Sequence, residues 1–304
     1  MFLYTSYNSC YVSPLPEGHR FPMPKFGILR DILLRDGITS EHYALRPEQA
    51  TLELLSLVHK AEYIQRFTNN ELTTQEIRRV GLPWSESLVV RTKTALMGTV
   101  IAAEKALEVG IACNGAGGTH HAFADFGSGF CIVNDLAVTA KHLTQQNGLK
   151  KVLIIDVDVH QGDGTAALLQ NDTSCITFSV HCKSNFPFTK QQSDYDIELA
   201  DGVGDEEYMR IIAGNVPALL DEIKPDFVLY DAGVDVYEGD PLGKLSLTLD
   251  GIYQRDLFIL SECGRRAIPV CGVIGGGYSK DYYELAYRHS LLHRAAKEVL
   301  LTYY

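Results

Sequence analysis

From residue 92 onward the chain switches repeatedly between two hydrophobic rhythms. Apolar residues recur at helical spacing over 92–109, 134–146, 205–223, 251–266 and 281–301. Between them lie short, β-branched runs at 110–113, 151–159, 174–180, 226–230 and 268–274. The last four runs are almost continuously apolar, as strands covered by helices on both faces tend to be. Strands alternating with helices predict βαβ units, hence one parallel sheet with right-handed crossovers. The first ninety residues read differently: helical stretches over 25–35 and 47–67, joined by polar loops, are expected to pack around the sheet. No repeat, low-complexity segment or Pro/Gly/Ser-rich linker divides the chain, so residues 1–304 are expected to form one domain.

Polar clusters fall directly after the strands, at 115–121, 156–164, 179–188, 231–240 and 275–278. In open α/β sheets the ligand crevice lies beyond the carboxyl ends of the strands, so five separate segments should converge on one site.

The richest of them is Asp156-Val157-Asp158-Val159-His160-Gln161-Gly162-Asp163-Gly164. Strand alternation puts Asp156, Asp158 and His160 on one side. Unpaired charges against a core are costly, so these groups need partners. An Asp and a His two apart, with a third carboxylate, form a zinc site that keeps one coordination position open. The third carboxylate is either Asp231 or Asp235, and spacing alone does not choose between them. Gly117-Gly118-Thr119-His120-His121 brings two imidazoles suited to proton transfer near neutral pH. Asp156 and Asp163 are natural partners for those rings. Gly275-Gly276-Gly277-Tyr278 lacks the Walker and dinucleotide spacings; a Tyr fixed there can instead donate its hydroxyl to a developing oxyanion. Phe130 and Phe186 place aromatic rings on two of the loops, as walls for a substrate channel. The remaining histidines (His19, His42, His59, His142, His181, His289 and His293) read as structural.

Composition narrows the setting. The 304 residues are 46% hydrophobic and 21% charged, as in ordinary globular proteins. No apolar run is long enough to span a bilayer and no secretory leader is visible, so cytoplasmic residence is the default expectation, without membrane association. Seven scattered cysteines without a Cys-x-x-Cys pair argue against a disulfide framework or a thiolate zinc site. A net charge of −11 disfavours direct nucleic-acid binding.

Together, Gly118-Thr119-His120-His121-Ala122, Gly129-Phe130-Cys131-Ile132-Val133-Asn134-Asp135, the 156–164 string, Ala232-Gly233-Val234-Asp235 and Gly275-Gly276-Gly277-Tyr278 resemble the zinc-dependent histone deacetylase superfamily. Gln161 and the run Glu238-Gly239-Asp240-Pro241-Leu242-Gly243 are similar to its class IV branch and bacterial relatives. The resemblance implies an arginase/deacetylase fold, a three-layer α/β/α domain with a roughly eight-stranded parallel sheet. It implies one Zn2+ per chain on Asp158, His160 and Asp235, with His120 and His121 as proton-transfer groups backed by Asp156 and Asp163, and Tyr278 polarising the carbonyl. It further implies K+ beside the zinc at Asp156, Asp158, His160, Ser179 and Val180, and a channel past Gly129, Phe130, Phe186 and Gly276.

The expected reaction is hydrolysis of an N-acyl amine, acyl-lysine or a related compound. Class IV likeness and the glycines at 115, 117 and 118 favour long acyl chains. The alternatives are an acetylpolyamine deacetylase, an arginase-like ureohydrolase and a metal-binding scaffold without turnover. The ureohydrolase is weakened by Gly162, which stands where that branch needs another metal-binding Asp. Oligomeric state is left open.

Overall fold

The computed structural model describes residues 1–304. Its strands are β1 (Tyr4–Ser6), β2 (Ala44–Leu45), β3 (Ile111–Asn114), β4 (Val152–Asp156), β5 (Cys175–Cys182), β6 (Tyr195–Leu199), β7 (Phe227–Asp231) and β8 (Val270–Val273). They form one sheet in the order β2-β1-β3-β8-β7-β4-β5-β6, and every pairing is parallel. The five strands expected from the apolar runs are the five contiguous central ones. β1, β2 and β6 had not been expected from the runs themselves, although the resemblance implied about eight strands.

The helices are α1 (Lys25–Arg35), α2 (Leu52–Leu55), α3 (Ala61–Thr68), α4 (Thr74–Val80), α5 (Glu86–Val109), α6 (Asp135–Gln145), α7 (Asp163–Leu169), α8 (Asp205–Ile223), α9 (Leu249–Arg265) and α10 (Tyr282–Tyr303). Alternate residues of each central strand serve different layers. Leu153, Ile155, Val228 and Tyr230 join the core under α1 and α8–α10. Val152, Ile154, Phe227 and Leu229 join the core under α5 and α6. A third cluster, including Leu55, Tyr63, Phe67, Val80 and Leu96, fastens α2–α4 to the outer side of α5.

Two expectations are corrected. The helix expected over 47–67 is broken into α2 and α3. In the gap, His59 donates from Nδ1 to the Phe123 carbonyl at 2.9 Å and accepts at Nε2 from the Asn134 amide at 2.9 Å. A continuous helix would have lost that strut, which binds the N-terminal region to the loops over the sheet. The strand expected over 151–159 stops at Asp156, because side chains take over its backbone pairing: the Asp158 amide donates to Asp156 Oδ1 and the Val159 amide to Asp235 Oδ1. The alternation nevertheless persists, since Val157 and Val159 remain in the α8–α10 core.

Arg255 of α9 is fully buried beneath this edge. It pairs with Asp256 at 2.9 Å and donates to the carbonyls of Val157 (3.2 Å), Gly233 (2.8 Å) and Ala232 (3.3 Å). One guanidinium therefore ties together the segments that follow β4 and β7. Replacing it with Leu leaves the buried Asp256 without a countercharge, bonded only to the Tyr230 hydroxyl, and takes a donor from three carbonyls, at a cost of about 3–5 kcal/mol. Denaturant melts of Arg255→Leu should show that loss; a change under 1 kcal/mol would mean the network is dispensable.

Candidate active site

The predicted convergence is present at the carboxyl ends of the five central strands. β4 lies between β5 and β7, with Asp156 in register with Ser179 on one side and Asp231 on the other. The chain then carries Asp158 and His160 off β4, and Val234–Asp235 off β7, towards the same point. Asp158, His160 and Asp235 offer ligand atoms that all lie within 4.8 Å of one another. His160 Nδ1 stands 3.0 Å from Asp158 Oδ1 and 3.1 Å from Asp235 Oδ2. The second carboxylate oxygen of Asp158 accepts the Gly276 amide at 2.7 Å.

His120, Asp156 and Asp231 form a second compact group. The two groups differ in access. Asp158, His160 and Asp235 all face the inner chamber, whereas neither Asp156 nor Asp231 does. His120 Nδ1 is already engaged, donating to Asp156 at 2.8 Å. Asp231 is fully buried and neither oxygen has a hydrogen-bond partner. Burial, and then the neighbouring Asp156, push its pKa far up. The first group therefore fits a metal ion: three converging donors of mixed nitrogen and oxygen type, open on one side to a chamber.

The two histidines are electrostatically distinct. Burial works against charge on His120, but the carboxylates of Asp156, Asp158 and Asp231 outweigh it and hold its pKa well above the usual value. His121 is pushed down to about 4 by burial and by His120, against the pull of Asp163, whose Oδ1 lies 2.6 Å from Nδ1. The two rings are thus shifted in opposite directions, with ring centroids 4.2 Å apart. Tyr278 is fixed through its main chain: its amide donates to Asp240 Oδ2 at 2.7 Å and Arg288 donates to its carbonyl at 3.1 Å. Its hydroxyl takes no partner within the protein. Burial, then Asp235 and Asp158, keep that phenol protonated.

His121, Gly129, Phe130, His160 and Tyr278 line both an inner chamber of about 60 Å³ and an outer mouth of about 590 Å³, so the group lies at the neck between them. Phe130 adopts a left-handed backbone (φ 66°), with its amide donating to the Val80 carbonyl at 2.8 Å. Phe186 packs edge-on against His121 at 4.9 Å. A Cβ on Gly276 would stand 2.2 Å from Asp235 Oδ2 and 2.6 Å from Asp158 Oδ2, so this position holds the carboxylates together as well as lining the chamber. Gly162 is equally constrained: a Cβ there would meet Asp156 Oδ2 at 2.4 Å. The extra metal-binding side chain of the ureohydrolase branch has no room.

Several residues of the site were not marked in the sequence. Phe21, Lys25, Phe26, Arg91 and Ala95 line the inner chamber, from α1, the residues before it, and α5. Lys25 is buried with Nζ 3.0 Å from His289 Nε2 and 3.3 Å from the Gly277 carbonyl, and burial lowers its pKa to about 7. A lysine opening an apolar helix was the available signal. Asp240, noted in the sequence only as part of the 238–243 run, is the anchor of Tyr278. Asp135 holds the histidine loop by accepting from the Gly118 and Thr119 amides. Gln161 points away, bridging to Gln191 and Asp196. His181 is structural, bonded to Ser179 at 2.9 Å.

The Histone deacetylase domain matches residues 19–293 of the chain. The chain belongs to the histone deacetylase family. As a family member it is a hydrolase acting on amide bonds. It is 50% identical over 293 residues to an uncharacterized protein of Picosynechococcus sp., covering 96% of this chain and 98% of that one. Histone deacetylase 2 of Arabidopsis thaliana is 28% identical, over 86% of this chain and 70% of its own. Acetoin utilization protein AcuC of Staphylococcus aureus is 29% identical, over 80% and 68%. The crystal structure of the HDA15 HD domain superimposes with a TM-score of 0.80 at 22% identity, covering 98% of this chain and 90% of that one, and establishes the shared fold.

The geometry separates Asp235 from Asp231. Asp235→Ala should lower metal affinity by more than the 10–100-fold typical of losing a supporting outer group, whereas Asp231→Ala should retain the metal. Elemental analysis after dialysis checks this, and equal metal content in wild type and Asp235→Ala would refute the ligand set.

Proposed function

We propose that the chain is a zinc-dependent deacylase that hydrolyses short N-acyl amines, acyl-lysine among them, within a single catalytic domain. The observation that carries this reading is the neck itself. A three-donor group able to hold a metal and two imidazoles shifted in opposite directions line the small chamber, and a free phenol hydroxyl stands where it opens to the wide mouth. Asp158, His160 and Asp235 would hold the zinc. When bound, the ion supplies Lewis acidity that polarises the acyl carbonyl and acidifies water.

The protein's own groups do the rest. His121, neutral and oriented through Nδ1 by Asp163, is suited to take a proton from the attacking water. His120, protonated and backed by Asp156, places positive charge beside the developing oxyanion and holds a proton for the departing amine. Tyr278 donates its hydroxyl to the same oxyanion. Phe130 and Phe186 wall the passage that the substrate's amine arm would follow outward. Ser179 stands in register beside Asp156 at the ends of β5 and β4, which supports a K+ position there, shared with Asp158, His160 and Val180. The class IV grouping is supported by Gln161 and the 238–243 run, and cytoplasmic residence stays part of the proposal. No helix is long and apolar enough to cross a membrane.

Tyr278→Phe tests the mechanism. Losing one such donor costs about 2.7–4 kcal/mol, roughly a hundred- to a thousandfold in kcat, with zinc content unchanged. Steady-state turnover of an acetyl-lysine peptide measures it; near-wild-type kcat would remove Tyr278 from the chemistry.

Acyl length is a separate expectation, and the small inner chamber supports short acyl groups over the long ones that the sequence suggested. Phe21, Phe26, Arg91 and Ala95 line the chamber, and its 60 Å³ holds on the order of two water-sized groups. Glycines at 117 and 118 do not enlarge it, because Asp135, Thr99 and Val273 crowd the first and Asp231 and Gly275 the second. Acetyl should therefore exceed octanoyl by at least tenfold in kcat/KM across a chain-length series of acyl-lysine peptides. Preference for octanoyl would show that the α1 wall yields.

A further inference from the structure

The mouth has an electrostatic character opposite to that of the whole protein. Acidic residues outnumber basic ones 38 to 27 in the chain, yet the mouth is lined by Arg20, Arg78, Arg79 and Lys244 and by no Asp or Glu. Resting on the deacylase reading, we propose that the mouth selects N-acyl amines whose amine portion carries a carboxylate, and disfavours polycationic ones.

The four cations are not equivalent. Lys244 has a carboxylate near, Asp201 at 3.8 Å on its outer side. Arg79 lies over the Phe126 ring at 4.7 Å and also borders a neighbouring groove containing Glu62, Glu76 and Asp125. Arg20 and Arg78 are exposed and make no ion pair, in a protein with abundant carboxylates to offer. Arg20 is nonetheless placed: its guanidinium lies 5.4 Å from the centroid of Phe130, the residue walling the neck. Arg78 sits on the last turn of α4, just before the Val80 carbonyl that fixes Phe130. Both guanidiniums thus border the path by which the amine arm leaves the neck.

The inner chamber takes only a small acyl group, so the rest of the substrate must occupy the mouth. A guanidinium pairs with a carboxylate in a two-pronged geometry that an ammonium cannot offer. An acetylated polyamine would bring further ammonium groups against Arg20, Arg78 and Lys244, where like charges repel. That weighs against the polyamine alternative within the superfamily.

The test uses three acetyl-lysine peptides of equal length, flanked on both sides by Glu, Gln or Lys, with zinc-loaded full-length protein. The expected order of kcat/KM is Glu above Gln above Lys, with at least a tenfold ratio between the extremes at low ionic strength. About 0.5 M NaCl should compress the ratio, because exposed charges are screened at that strength. In Arg20→Gln/Arg78→Gln the Glu-to-Lys ratio should fall to within threefold of unity. Turnover with equal rates, with Lys preferred, or with a ratio that survives the double substitution overturns the inference and leaves the deacylase reading intact. Binding of the same labelled peptides to Tyr278→Phe, followed by fluorescence anisotropy, separates the two claims. Glu-selective binding without turnover of any peptide by wild type overturns the deacylase reading alone, and absence of both selectivity and turnover overturns both.

Discussion

Everything at the functional end of this molecule depends on keeping negative charge buried. Asp156, Asp158, Asp231 and Asp235 are each at most 3% exposed and are delivered to one place by adjacent strands. Four anions in a low-dielectric setting would repel one another strongly. The protein meets this in several ways at once. Burial pushes the pKa of Asp231 far up, the surrounding carboxylates raise that of His120, and main-chain amides of residues 158, 159, 160 and 276 donate to carboxylate oxygens. Asp158 and Asp235 converge on His160 beside the inner chamber, which is the geometric case for a cation there. Arg255 contributes from below by binding the carbonyls of both acid-bearing segments, not the acids themselves.

How much of this was legible follows from where each element lies in the sheet. The runs that became β3, β4, β5, β7 and β8 are buried on both faces, so their residues are apolar without interruption. β6 is an edge strand in which exposed Asp196 and Glu198 alternate with less exposed neighbours, and the apolar signal vanishes. β1 and β2 have three and two residues, too few for any rhythm. The convergence of the Asp158, His160 and Asp235 group with the histidine pair was legible because each follows directly on a strand end. Resolving Asp235 from Asp231 was not possible from spacing. The two acids lie four residues apart, and only Asp235 reaches the chamber wall.

The inner wall was invisible for another reason. Lys25, Phe21 and Arg91 arrive from segments remote in sequence, whose patterns read as ordinary amphipathic helix and loop. Their convergence depends on how α1 and α5 pack over the sheet ends, a long-range fact with no local signature. The same remoteness bears on acyl length, because the side chains that crowd the glycines near the histidines also come from distant segments.

Phe130 joins two parts of the molecule with different origins. The reactive groups come from loops after the central strands, while the gate beside them is held in a left-handed conformation by one hydrogen bond from the end of α4. The wall of the mouth and the acid-bearing loops thus come from separate stretches of the gene. Substitutions around residues 78–81 would reshape that wall while the acid-bearing loops stay untouched. A duplicated copy of this gene would have a short route to a new diet and would not have to reinvent its chemistry.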